Sequence, residues 1–251
     1  MYVKQRGAKR DITGQPPYQG RWVRLGTAVG DLIQRDILFM ERHYDGCPFK
    51  FEKTADGRPM FEDFAKVNKP VSHNGAGFYL YGTCDGILEY KTGGVKEDGS
   101  PEVLRVGLEI KSKQTTPART SLHSMRSAEE SHIAQTVAYS IMYNVDYYVI
   151  LYVNAAKKSW VIDEDEYAKS PDVRAFGIEI TDEDREALLD RLAGVMEAVN
   201  TGNPPPIDLD NWTFNSYKTA CALDLSDDEV AALRRRVEAI KRSRMPAWKQ
   251  D

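Results

Sequence analysis

Val103-Leu104-Arg105-Val106-Gly107-Leu108-Glu109-Ile110-Lys111 is the stretch that decides how the rest of the chain is read. Leu104, Val106, Leu108 and Ile110 alternate with Val103, Arg105, Gly107, Glu109 and Lys111, and alternation with a period of two is what a pleated strand with two distinct faces produces. Glu109 and Lys111 therefore leave the same face. Upstream, Phe78 to Tyr90 is rich in aromatic and branched residues, and Thr92 to Pro101 is dense in turn formers. The two apolar runs are expected to pair as an antiparallel hairpin, which would set Asp85, within Gly82-Thr83-Cys84-Asp85-Gly86, beside Glu109.

Two carboxylates held together repel unless a cation lies between them, and an all-oxygen set suits Mg²⁺ or Mn²⁺. A neighbouring lysine would orient or deprotonate an attacking water, or offset charge developing on a phosphorane-like transition state. The plain alternative is a surface ladder with a cross-strand ion pair, which is what an isolated Glu-x-Lys usually is. The following helix bears on the choice. Ser127 to Asn144 places Ile133, Ala134, Val137, Ala138, Ile141 and Met142 at helical recurrence, with His132, Gln135 and Tyr139 on another face. That second face would reach a substrate, or else simply face solvent.

Taken together, Gly82-x-x-Asp85, the apolar strand ending in Glu109-Ile110-Lys111, and Gln135-x-x-x-Tyr139 on the next helix, followed by the strand-like Tyr147 to Val153, resemble the PD-(D/E)XK nuclease superfamily. Within it they resemble the RecB-like exonuclease branch, which includes phage recombination nucleases and CRISPR adaptation nucleases. The resemblance spans roughly residues 20 to 155. It implies an α/β fold of the restriction-endonuclease-like kind, a mixed central sheet flanked by helices. It also implies metal-dependent hydrolysis of DNA phosphodiesters, with Asp85, Glu109 and the carbonyl of Ile110 as metal ligands. Lys111 would act on the attacking water or the transition state, and Gln135 with Tyr139 would position the lysine or the DNA backbone. Exonuclease action in recombination, repair or phage DNA processing is the expected role. A structure-selective endonuclease and a non-catalytic DNA-binding subunit that keeps the fold are the alternatives.

One motif departs from that pattern. The branch commonly carries Gly-Thr-x-x-His on an amino-terminal helix, with the histidine as a further metal ligand, whereas Gly26-Thr27-Ala28-Val29 is followed here by Gly30. Asp31, Asp36 and Glu41 are the acids on that helix that would supply an oxygen instead.

The chain has 251 residues, 41% hydrophobic, enough for one α/β core and an appendage. The expected division is a nuclease domain over 1–206, with its core at about 20–180, and a carboxy-terminal extension over 207–251 carrying a basic helix packed on the core or on a partner. A formal net charge of −4 gives no whole-molecule attraction to nucleic acid, so DNA contact must rest on local cations. Lys113, Arg119 and Arg126, after the catalytic strand, and His132 on the helix are the candidates. Lys4, Arg6, Lys9 and Arg10 at one end, and Arg234 to Arg236, Lys241, Arg242 and Arg244 at the other, form two further basic clusters. The polar stretch from Lys113 to Glu130, with His123, would fold over substrate or serve only as a connector.

Cys47, Cys84 and Cys221 are far apart and one short of the four thiolates that hold an iron–sulfur cluster or structural zinc, so no such cluster is expected. Neither a signal peptide nor a long apolar stretch is seen, which points away from a membrane and toward the cytoplasm of a bacterial cell or phage-infected host. No Gly-Lys-Ser/Thr phosphate loop indicates ATP hydrolysis. DNA is the expected partner, joined by a single-strand annealing or other recombination protein, and the residues are compatible with an oligomer.

Elsewhere, Trp22 to Tyr44 reads as a helix, Pro48 to Asn74 as an insertion in which Phe61 and Phe64 pack or stack on bases, and Trp160 to Asp163 and Ala175 to Ile180 as strands. Thr181 starts a helix running to about Val199, and Ser226 caps the last one.

Overall fold

The structure is a computed structural model and describes residues 19–156, 161–203 and 225–241. Two compact units are distinguished, one formed by Pro16–Ala193, the other by Met1–Gln15 with Gly194–Asp251. Everything that follows about the sheet and the site belongs to the first. In the second, the described helix Asp227–Lys241 is closed at its start by a reciprocal cap. Glu229 N donates to Ser226 Oγ at 3.3 Å, and Ser226 N donates to Glu229 Oε2 at 2.8 Å.

The first unit is a mixed α/β structure. Its five-stranded sheet contains β1 (Phe49–Phe51), β4 (Gly86–Val95), β5 (Pro101–Lys113), β6 (Tyr147–Asn154) and β7 (Val173–Glu179), side by side in that order. All neighbours are antiparallel except β5 and β6, which run parallel. A parallel pair needs a crossover, and helix α2 (Glu130–Tyr143) supplies it. Helix α1 (Gln19–His43) covers the opposite face. Alternation in β5 sorts the two layers: Val106, Leu108 and Ile110 pack with Ile33, Ile37 and Met40 of α1. On the other side Ile87 and Tyr148 pack with Val137, Met142 and Tyr143 of α2. A Cβ at Gly107 would lie 2.0 Å from the Tyr148 ring, its partner in the β5–β6 register, so only glycine lets that tyrosine lie flat across the strand.

Several expectations need correction. Phe78 to Tyr90 is not one strand. β3 (Ala76–Gly82) pairs with β2 (Val67–His73) in a separate two-stranded sheet, and the chain changes partners at Thr83 to Asp85 before entering β4. The segment from Pro48 to Asn74, read from the sequence as an insertion, holds β1, a 3-10 turn at Glu62–Ala65 and β2. Its hairpin closes through Asn74 and Gly75, both at positive φ (48° and 76°), the pairing of residues that a two-residue turn matched to strand twist requires. Within α2, Ala134 is exposed, while Thr136 and Ser140 are buried. Their hydroxyls donate back to Ile133 O and Val137 O, which lets polar residues occupy the packed stripe. Val161 to Asp163 is not a strand; Asp163 caps the short helix α3 (Glu164–Lys169), and Trp160 lies outside the described residues. The helix begun at Thr181 is α4 (Asp182–Thr201).

Candidate functional site

β4 and β5 place the two acids. Gly86 pairs with Leu108, and one step outward the same antiparallel register sets Asp85 opposite Glu109. Asp85 stands just beyond the end of β4, so its carboxylate is free to turn toward the main chain: Ile110 N donates to its Oδ2 at 2.6 Å. Glu109 is 3% exposed. Lys111, two residues along the same face, sets its ammonium 2.5 Å from Glu109 Oε1. The same ammonium donates to Gln135 Oε1 at 2.8 Å, and Gln135 Nε2 donates to Tyr139 OH at 2.9 Å. Asp85, Glu109, Lys111, Gln135 and Tyr139 are thus brought together, and Ile110 stands between Glu109 and Lys111 on β5.

The hydrogen-bond chain fixes its own polarity. An ammonium has no acceptor, so Gln135 must present its oxygen to Lys111 and its nitrogen to Tyr139. Tyr139 then accepts, and its own proton is left to donate elsewhere. Burial pushes that phenol up to about 12, so it keeps this proton at neutral pH. Gly82 lets the ring approach; a Cβ there would be 3.3 Å from Tyr139 Cε1.

Electrostatically the site is short of positive charge. Burial, and then the neighbouring Asp85 charge, push Glu109 up to about 7 despite the pull of Lys111. Burial also raises Asp85, against the opposing effects of the Ile110 N–H and Lys111. Two desolvated carboxylates beside an ammonium favour uptake of a proton, or of a cation that competes with it. An oxygen-only donor set fits a hard divalent ion such as Mg²⁺ or Mn²⁺.

The remaining sequence candidates take other places. Lys113 is ion-paired with Glu129 and lies 4.8 Å from the centroid of the Tyr152 ring. His132 Nδ1 is 2.8 Å from Tyr152 OH, and burial together with Lys111 lowers its pKa, so it is a neutral group near pH 7 rather than a cation. Arg119 bonds Thr115 Oγ1 at 3.1 Å, and Arg126 and His123 are exposed. The stretch between β5 and α2 is pinned rather than free. Thr120 is fully buried with its hydroxyl on Pro171 O, and Asn154 Nδ2 bonds Pro117 O at 2.7 Å. Phe61 packs on Phe51, whereas Phe64 stays exposed with Arg58 over its ring. Lys4, Arg6, Lys9, Arg10, Arg242 and Arg244 fall outside the described residues.

Of the α1 acids, Asp36 lines an apolar groove between α1 and the sheet, and Glu41 lies near Lys53 Nζ at 3.5 Å. Asp31 meets Glu62, whose carboxyl is raised by burial and then by the Asp31 charge. A Cβ at Gly30 would meet nothing within 4 Å. Sequence reasoning passed over Gln34. It is 4% exposed, its Nε2 donates to Asp85 O at 2.8 Å, and its Oε1 has no partner among the described residues. The available signal was its place one turn after Gly30 on the stripe that begins at Gly26, where a Cβ would sit 3.7 Å from Ser112 Oγ.

A second gathering of candidate ligands lies where the β2–β3 turn meets α4. His73 Nε2 is 2.7 Å from Asp190 Oδ1 and 3.9 Å from Glu186 Oε1. Both acids are mostly exposed.

No family model matches the chain, and no curated protein matches it. Among solved structures, one described as the crystal structure of SSO0001 matches 78% of this chain and 70% of its own, at 15% identity and a TM-score of 0.39. A likeness of that degree carries no argument about chemistry, which therefore rests on the residues themselves.

Proposed function

We propose that the protein is a divalent-metal-dependent deoxyribonuclease, an exonuclease in the manner of the RecB-like enzymes its motifs resemble. The observation that carries this reading is the buried Asp85–Glu109 pair facing one ammonium that a second helix holds in place. Asp85, Glu109 and the Ile110 carbonyl would hold Mg²⁺ or Mn²⁺, which when bound supplies Lewis acidity toward the phosphate.

The chain's own groups would do the rest. Lys111, held between Glu109 and Gln135, offsets negative charge that grows on the phosphoryl oxygens as water attacks. Gln135 keeps the ammonium at that point, and Tyr139 offers a proton to a non-bridging or bridging oxygen of the backbone. Exposed Arg119 and Arg126 are the cations that would meet flanking phosphates. Among the described residues no helix is long and apolar enough to cross a membrane. Work on DNA in the cytoplasm of a bacterial cell or infected host is part of the same proposal.

The test is degradation of a labelled linear duplex by the full chain, with and without Mg²⁺ or Mn²⁺, beside a closed circle. Loss of linear DNA only with metal, an intact circle, and failure of both Asp85→Asn and Lys111→Met at unchanged circular dichroism are expected. Activity equal to wild type in these variants removes the enzyme reading, and cutting of the circle replaces the exonuclease with an endonuclease.

A further inference from the structure

Gln34 sits in the middle of α1, and its carboxamide is one of the few buried polar groups in the unit. Its orientation is forced. The group it meets is the main-chain carbonyl of Asp85, which can only accept, so the nitrogen must face it and the oxygen must point elsewhere. That oxygen is buried and receives nothing from the described residues. A buried acceptor without a donor costs roughly 1–3 kcal/mol, and a cation or its hydration water arriving at the neighbouring site would relieve that cost.

The surroundings say what that partner would be. Gly26, Gly30 and Gln34 follow one another at four-residue intervals, so they lie along one stripe of the helix. Gly26 is close to Ser112 at the end of β5, and Gln34 holds the main chain of Asp85. Between them Gly30 leaves open space. The stripe therefore runs from Ser112 near the end of β5 to the main chain of Asp85 at the start of β4, with open space at Gly30 along it. Hydrogen-bond donors are scarce there: the Ile110 N–H is taken by Asp85, and the Lys111 ammonium by Glu109 and Gln135.

Resting on the metal-site reading above, we propose that the Gln34 carboxamide oxygen is a further contact for the divalent cation held at Asp85 and Glu109, either bound to it or accepting from its hydration water. The amide would do two jobs at once: its nitrogen anchors the main chain that carries Asp85, and its oxygen completes the hard-oxygen set. A neutral oxygen adds coordination without adding charge to a site already short of positive charge.

The experiment is Mn²⁺ titration of the full-length chain without DNA, read by the electron paramagnetic resonance signal of the free ion. Melting temperature of the metal-free protein is measured for each variant. Gln34→Met deletes both functions; Gln34→Glu deletes the donor to Asp85 at neutral pH and keeps an oxygen. If the oxygen is a contact, Gln34→Met weakens Mn²⁺ binding about tenfold, as loss of a supporting group at a metal site commonly does, and Gln34→Glu restores wild-type affinity or exceeds it. Unchanged affinity in Gln34→Met, or equal weakening in both variants, overturns the proposal and leaves Gln34 as an anchor of the main chain alone. Asp85→Asn separates the two readings. If wild type binds Mn²⁺ and Asp85→Asn does not, the site stands whatever Gln34 does. If wild type binds none, or Asp85→Asn binds as well, both readings fall.

Discussion

The Asp85–Glu109 pair and the Glu186–Asp190 pair both bring acids together in the first unit, and they differ in almost everything except that. Asp85 and Glu109 are buried, supported by a main-chain N–H and an ammonium, and displaced upward in pKa by their surroundings. Glu186 and Asp190 are 67% and 58% exposed, and they meet a histidine at the rim of a hairpin. Proximity alone would rank the trio first, since its three ligand atoms lie within 4.8 Å of one another. Desolvation ranks it second. Exposed carboxylates are already neutralised by water and dissolved ions, whereas a buried pair stays in need of a cation and strengthens every interaction made there.

The largest expected effect sharpens that contrast. Asp85→Asn or Lys111→Met should lower metal-dependent DNA hydrolysis by about 10³-fold or more, the loss typical when a group aimed at developing charge is removed. Asp190→Asn, measured in the same assay, should leave the rate unchanged. Equal loss in both would mean that burial is the wrong criterion.

Next in size is a pH effect on the metal-free protein. Glu109 has its folded pKa raised from the ordinary carboxylate range to about 7. Between those limits the folded state keeps a proton that the unfolded state has released, so stability must fall as pH rises through that window and level off above it. The loss is on the order of 3 kcal/mol. Glu109→Gln should flatten the slope and raise stability at pH 8, read as urea midpoints across pH 5 to 8. A divalent cation should act in the opposite sense, stabilising wild type more as pH rises because binding displaces the proton. A midpoint independent of pH in wild type would show that the pair is not desolvated.

Much of this site could be read from residue order. The alternation of Val103 to Lys111 put Glu109 and Lys111 on one face, and the three-and-four spacing of His132, Gln135 and Tyr139 put them on one side of α2. Both are local patterns set by the geometry of a strand and a helix. What was missed depends on contacts between distant segments. The aromatic run from Phe78 to Tyr90 looks continuous, yet the chain changes partners at Thr83 to Asp85, and no period of two records a change of partner. That break frees the Asp85 carboxylate to reach Ile110. Asn74-Gly75 is a hairpin-turn signal, but Pro48 to Asn74 lacks the apolar density of a core strand, and β2 is at most half-buried along its length. Gln34 had only its place on the Gly26–Gly30 stripe as a local signal, and its partner is 51 positions away, beyond the reach of any local pattern.

A smaller effect probes how the helix serves the lysine. Gln135→Leu removes the oxygen that holds Lys111 and the nitrogen that holds Tyr139 while keeping the side chain's bulk. The expected loss is about tenfold in kcat with little change in KM, because the ammonium remains paired with Glu109 but loses its second anchor. A drop in KM-controlled binding at unchanged kcat would instead make Gln135 a DNA contact.

The smallest effect belongs to the exposed trio. Asp190→Asn keeps an oxygen for Asn74 Nδ2, which now donates to Asp190 Oδ1 at 2.8 Å, and removes only the charge facing His73. An ion pair in such an exposed place is worth about 0.2–1 kcal/mol. The melting temperature should move by no more than a few degrees, and less in 1 M salt, where exposed charges are screened within about 3 Å. The same salt should leave the pH slope set by Glu109 largely in place, since screening ions do not enter a buried pair. A salt-insensitive loss at Asp190 would place that carboxylate in the same physical class as Asp85 and remove the distinction on which the choice of site rests.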